Sequence, residues 1–69
     1  MDEDKQKICN LLTITLQNTS YGWDLVSLTY SPGPRGETVT ALFTNGAKKV
    51  VNVNLDSGTA MIKDIMKIF

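Results

Sequence analysis

The sequence predicts a small α+β domain, in which an N-terminal and a C-terminal helix pack on one face of a three-stranded antiparallel sheet. Three observations lead to this prediction. Apolar residues recur with helical spacing in the first and last segments, and they alternate with polar residues in three central segments. Short connections rich in glycine, proline and asparagine separate the segments, which favours a meander in the order α-β-β-β-α.

The first segment, residues 4–17, is predicted to be a helix. Its apolar positions follow the spacing of one helix face and are Ile8, Leu11, Leu12, Thr15 and Leu16. The opposite side would carry Lys7, Asn10, Thr13 and Gln17. A strand over residues 11–16 is the alternative, because Leu12, Ile14 and Leu16 alternate there with threonines and β-branched residues favour strands. We favour the helix because its pattern covers more of the segment.

Three strands are predicted, over residues 23–30, 37–44 and 48–55. In each strand one face is more apolar than the other, and we expect the three more apolar faces to lie on the same side of the sheet. The residues of this expected core face are Val26, Leu28 and Tyr30, then Val39, Ala41 and Phe43, and finally Lys49, Val51, Val53 and Leu55.

The first hairpin contains the stretch SPGPRGE, residues 31–37. A loop over residues 31–36 would pair Tyr30 with Glu37 and would keep both apolar sets on one side. Its prolines fix φ and its glycines allow the chain to reverse. We therefore interpret the stretch as a strand connection, with Arg35 held at its tip.

The second hairpin contains Asn45-Gly46. A two-residue turn would set Phe43 opposite Lys48 and would place the two apolar faces on different sides. A three-residue loop over residues 44–46 sets Val39 opposite Val51 and restores one apolar face. We therefore predict the longer loop, with Gly46 in a left-handed conformation.

The last segment, residues 56–69, is predicted to be a helix capped by Asp56 or Ser57. Its apolar positions are Met61, Ile62, Ile65, Met66, Ile68 and Phe69, and its polar side carries Lys63, Asp64 and Lys67. Because this stripe is as long as the helix, we expect the helix to cover the apolar face of the sheet.

Composition limits the possible functions. The 69 residues predict one domain over residues 1–69, and seven basic residues balance seven acidic ones. A net charge of zero lacks the electrostatic footprint of a general nucleic-acid or membrane-surface binder. No apolar run approaches a membrane span, and the N-terminal residues do not resemble a secretory signal. We therefore expect a cytoplasmic protein without membrane association.

The residues that usually carry chemistry are scarce. There is no histidine, so His-based catalysis is excluded, and Cys9 is the single cysteine, which excludes an internal disulfide. One thiol cannot make a zinc site, and a position on the apolar side of the first helix predicts that Cys9 is structural. The carboxylates are scattered along the sequence. We therefore expect no enzyme activity, no metal and no cofactor.

The second face of the predicted sheet is the most informative surface. If both helices cover the first face, four apolar side chains would be exposed on the other: Trp23, Leu25, Leu42 and Val50. Such a patch marks a partner site, and tryptophan is enriched at binding hot spots. The alternative is that Trp23 folds over the sheet edge or under the first helix. The patch predicts a non-enzymatic interaction module that binds another protein or, as we expect, forms a homodimer through this open face.

The element order also resembles the double-stranded-RNA-binding domain in topology and length. That family reads RNA with a basic cluster on its last helix, a patch on its first helix and the loop between its first two strands. Here Lys63 is the one basic residue in the first two turns of the last helix, and the first loop carries Arg35 but no histidine. The resemblance is one of element order alone. It implies duplex RNA binding as the alternative function, with Arg35, Lys48 and Lys49 as the expected contacts.

Overall fold

A computed structural model describes residues 4–69 and contains five elements. They are α1 (Lys5–Gln17), β1 (Leu25–Gly33), β2 (Gly36–Phe43), β3 (Lys48–Asn52) and α2 (Gly58–Met66). The strands form one antiparallel sheet in the order β1-β2-β3. The predicted α+β fold with the order α-β-β-β-α is therefore confirmed, and the first segment is a helix.

One hydrophobic core lies between one face of the sheet and the two helices. Its buried apolar members are Cys9, Leu16, Leu25, Leu28, Val39, Ala41, Phe43, Val51, Val53, Met61 and Ile65. α1 packs mainly on β1. The ring of Phe69 packs against Phe43 with 5.9 Å between the ring centroids, so the last residue of the chain contributes to the core.

The face that α1 presents to the core is shifted from the predicted one, although Leu16 is buried and Ile8 and Leu12 pack against the core as predicted. The buried residues of α1 are Cys9, Thr13 and Leu16, whereas Leu11 is 56% exposed. The expectation that Thr13 faces solvent is wrong because its hydroxyl donates a hydrogen bond to the carbonyl of Cys9, at 2.8 Å. This bond satisfies the polar group of Thr13 inside the core.

A β-bulge interrupts the alternation of β1. Leu25 lies opposite Phe43, but Ser27 lies opposite Leu42, so β1 has one extra residue between these pairs. The extra residue changes which side chains face the core. Leu25 is 2% exposed, whereas Val26 is 45% exposed. The predictions that Val26 enters the core and that Leu25 lies on the open face are therefore wrong.

The hairpin between β2 and β3 has the predicted three-residue loop. Val39 lies opposite Val51, and the N–H of Phe43 donates to the carbonyl of Ala47 at 2.9 Å. Gly46 has a φ of +86°, the left-handed conformation that closes this kind of loop. The more apolar face of β2 and that of β3 consequently both lie on the side of the helices.

The hairpin between β1 and β2 is tighter than predicted. Tyr30 lies opposite Val39 rather than Glu37, and the strands continue to Gly33 and Gly36 around a two-residue turn. The prediction of a six-residue loop was based on keeping both apolar faces on one side, which a two-residue turn achieves equally well. Pro32 is accommodated in β1, because an edge strand can include a residue that has no N–H to donate.

The end of β3 and the start of α2 also differ from the prediction. Ser57 caps α2 by accepting a hydrogen bond from the N–H of Ala60 at 3.2 Å. β3 ends at Asn52, and Leu55, predicted to lie in the core, is 90% exposed with a φ of +61°. The left-handed conformation of Leu55 turns the chain towards α2 and directs this side chain into solvent.

The bulge can be tested with two neighbouring substitutions. We expect Leu25→Ala to lower the free energy of unfolding by about 2–5 kcal/mol, because it leaves a cavity in the core. Val26→Ala should lower it by about 1 kcal/mol or less, because Val26 is outside the core. Urea denaturation followed by circular dichroism measures both values. Equal losses for the two variants, or a larger loss for Val26→Ala, would contradict the bulge.

Candidate functional site

The face of the sheet opposite the helices is uncovered. This open face consists of three cross-strand rows, which are Ser27–Leu42–Lys48, Thr29–Thr40–Val50 and Ser31–Thr38–Asn52. Most of these side chains carry hydroxyl or amide groups, and Lys48 is the one charged residue among the nine. The open face is therefore a nearly uncharged surface with a few aliphatic positions.

The structure divides the four predicted patch residues among three places. Leu42 and Val50 lie on the open face, where Val50 is 66% exposed and Leu42 is partly buried. Trp23 is 70% exposed but lies in the turn before β1, outside the strands. Leu25 is in the core because of the bulge, so it is not available to a partner. The apolar part of the open face is thus smaller than the sequence predicts.

The edge of β1 is occupied by side chains of α1. The side-chain oxygen of Gln6 accepts a hydrogen bond from the N–H of Tyr30 at 2.8 Å, and its amide nitrogen donates to the carbonyl of Leu28 at 3.1 Å. Gln17 similarly donates to the carbonyl of Leu25 at 2.8 Å. The Gln6 side chain thus replaces a neighbouring strand at the middle of β1. Sequence reasoning missed this contact because it depends on how α1 docks.

The three basic residues proposed for nucleic-acid contacts do not converge. Arg35 lies at the tip of the β1–β2 hairpin, while Lys48 begins β3 opposite Leu42. At about 3.3 Å per strand residue, roughly 20 Å separate these two ends of the sheet. Lys49 lies on the core side, where its Nζ donates to the carbonyl of Ile68 at 3.3 Å and lies 5.5 Å from the centroid of the Phe43 ring.

Glu37 is at the centre of the most connected polar cluster. Its carboxylate accepts hydrogen bonds from the hydroxyl of Tyr30, from the Nζ of Lys5 at 3.0 Å and from the N–H of Leu55 at 3.0 Å. These hydrogen bonds lower the pKa of Glu37 to about 2, and the bond from Tyr30 has the largest effect. A carboxylate with this pKa is a poor general base near neutral pH. Its contacts instead join α1, both strands of the first hairpin and the turn before α2.

Two other carboxyl groups interact, contrary to the prediction that the carboxylates are scattered. The turn after β3 brings Asp56 close to Asp64 on α2, and their hydrogen bonding raises the pKa of Asp56 and lowers that of Asp64. The Nζ of Lys67, 3.3 Å from a carboxylate oxygen of Asp64, adds to that lowering. Of the two carboxyl groups, Asp56 is therefore the one that is protonated more readily, and Asp64 is the one that stays ionised.

Cys9 is buried and has no disulfide partner, as predicted for a structural cysteine. Burial raises the pKa of its thiol, which disfavours the nucleophilic thiolate. In residues 4–69 no group of three or more cysteine, aspartate or glutamate side chains is arranged to hold a metal ion. No helix of the same range is long and apolar enough to cross a membrane.

A shallow cavity lies beside the loop between β2 and β3. Its volume is about 160 Å³, and its lining residues are Asp24, Phe43, Asn45, Ala47 and Lys49. Small-molecule sites typically have volumes of about 300–1,000 Å³. The cavity is therefore too small for most cofactors.

No protein-family model, curated protein or solved structure matches this chain. Its function must therefore be inferred from its own fold and surface.

The lowered pKa of Glu37 predicts a specific loss of stability in acid. Because the folded pKa of about 2 lies below the ordinary value of 4.5, Glu37 stabilises the fold above pH 4.5, and this contribution is lost as the pH falls towards 2. Glu37→Gln should therefore be less stable than the wild type at neutral pH and more nearly equal to it near pH 2. Urea midpoints at both pH values measure the difference. A difference that does not change with pH would contradict this role.

Proposed function

We propose that this chain is a non-enzymatic protein-interaction module that forms a homodimer through the open side of its sheet. The observation that carries this proposal is the uncovered open face. Both helices pack on the opposite face, and Val50 remains 66% exposed in the middle of β3. A domain of this size buries only about 60% of the surface of its unfolded chain, so association would add a substantial share of apolar burial.

The chemistry of the open face favours a second copy as partner. In a two-fold dimer each surface meets itself, so like charges at its centre would repel. Here the row through Val50 continues with Thr40 and Thr29, which are uncharged, and Lys48 lies at one corner of the face. Hydroxyl and aliphatic side chains can meet their own copies without repulsion.

The polar groups of the chain support a binding role rather than catalysis. The Glu37 carboxylate is fully engaged in hydrogen bonds, and the Cys9 thiol is buried. Duplex RNA binding would need a continuous basic surface. The separation of Arg35 from Lys48 favours the protein-interaction proposal over that alternative.

Self-association can be measured by analytical ultracentrifugation at micromolar concentrations. We expect a dimer for the wild type, and a dissociation constant raised by about tenfold or more in Val50→Glu, because a carboxylate would then lie on the open face. Leu11→Glu is the matched control, since Leu11 is similarly exposed but lies on the outer side of α1.

A wild type that stays monomeric, or equal effects of the two substitutions, would contradict the proposed function. A titration with duplex RNA at low and high salt tests the alternative. Tight binding that weakens steeply with salt, in a protein that does not self-associate, would favour RNA as the partner.

A further inference from the structure

We infer that two copies of the chain pair through their β3 strands, antiparallel and centred on Val50, to form one continuous sheet. This inference rests on the proposed homodimer and changes where it forms: the contact lies along the outer edge of β3, with Val50 at its centre, rather than between two stacked open faces. It concerns the β3 edge, which we define as the main-chain N–H and C=O groups of Lys48, Val50 and Asn52.

The β3 edge points away from β2. In an antiparallel pair, residues that exchange hydrogen bonds alternate with residues that do not. The bonds from Phe43 N–H to the Ala47 carbonyl and from Val53 N–H to the Glu37 carbonyl place the odd-numbered residues of β3 in the bonded pairs. The three even-numbered residues therefore direct their main-chain groups outward. Within residues 4–69, no turn, loop or side-chain hydrogen bond uses those groups.

The two edges of the sheet differ in their availability. At β1, a new strand would have to displace Gln6 from Tyr30 and Leu28, and Pro32 offers no N–H. At β3, the side chains of Lys48, Val50 and Asn52 are all exposed. An exposed edge with unpaired main-chain groups is a template for strand addition. The β3 edge is thus the better site for an added strand.

The sequence of β3 selects one register. Pairing centred on Val50 sets Val50 opposite its own copy and Lys48 opposite the second copy's Asn52, so all three outward residues exchange hydrogen bonds. On the core side, Lys49 then lies opposite the second copy's Val51. Each lysine therefore faces an uncharged residue.

Neighbouring registers are less favourable. Centring the pair on Lys49 would place two lysines directly opposite each other, which is destabilising. Centring it on Val51 would require the N–H of Asn54, and that group already donates to the side-chain oxygen of Asn52 at 2.9 Å. Because the β3 edge is complementary to itself and the β1 edge is occupied, association ends at two copies.

Disulfide trapping tests the pairing directly. In the proposed dimer the two Val50 Cα atoms lie about 5.5 Å apart, within reach of a disulfide. We expect Val50→Cys to form a covalent dimer under mild oxidation. Thr40→Cys is the matched control, because Thr40 lies opposite Val50 on β2 and three strand spacings, about 14 Å, would separate the two copies. Wild-type protein controls for the buried Cys9.

The outcomes separate this inference from the proposed function. Cross-linking of Thr40→Cys as fast as Val50→Cys would indicate stacked sheet faces, and would overturn the strand pairing while leaving the homodimer. A dimer in the ultracentrifuge without any cross-link in Val50→Cys would also overturn it. A monomer in the ultracentrifuge would overturn both proposals.

Amide hydrogen exchange provides a test without substitutions. As the protein concentration rises through the dimerisation range, we expect exchange at Lys48, Val50 and Asn52 to slow by about tenfold or more. The amide of Asn45, in the loop before β3, is the internal control and should be unchanged. Exchange at the β3 edge that does not change with dimerisation would overturn the inference.

Discussion

The β-bulge between Leu25 and Ser27 is the constraint on which the two faces of the sheet depend. It allows Leu25 and Leu28 to enter the core together, although three residues rather than two separate them. Ser27 and Thr29 keep the open-face positions that alternation from Leu28 gives them. Without the bulge, Val26 would enter the core and Leu25 would lie on the open face beside Leu42. The bulge thus adds a leucine to the core and removes the same leucine from the open face.

Much of the fold could be predicted from residue periodicity, and the exceptions have physical explanations. The register of β2 and β3 was predictable, because only an odd-length loop keeps Val39 and Val51 on one face. The register of β1 was not predictable, because the bulge interrupts the alternation from which the core-facing side chains of a strand are predicted. The buried face of α1 was predicted only in part: the burial of Thr13 was missed because its hydroxyl is satisfied within its own helix.

The candidate site was predictable only in part. Alternation placed Leu42 and Val50 on the open face, which is where they lie, but Leu25 followed the bulge into the core. The difference between the two sheet edges depends on a tertiary contact, in which Gln6 reaches β1 across 22 and 24 residues of sequence. A pattern within one segment carries no information about such a contact. Tertiary packing, rather than the sequence of the strands, thus decides which edge of the sheet is free.

Leu55 has a consequence for the order in which the chain folds. A left-handed conformation costs a residue with a side chain about 1–2 kcal/mol, and the exposed Leu55 side chain recovers little of this by packing. Its N–H is bound by Glu37, which lies 18 residues earlier on β2. The turn before α2 therefore depends on a contact with β2, and we expect the docking of α2 to follow the placement of β2 rather than to precede it.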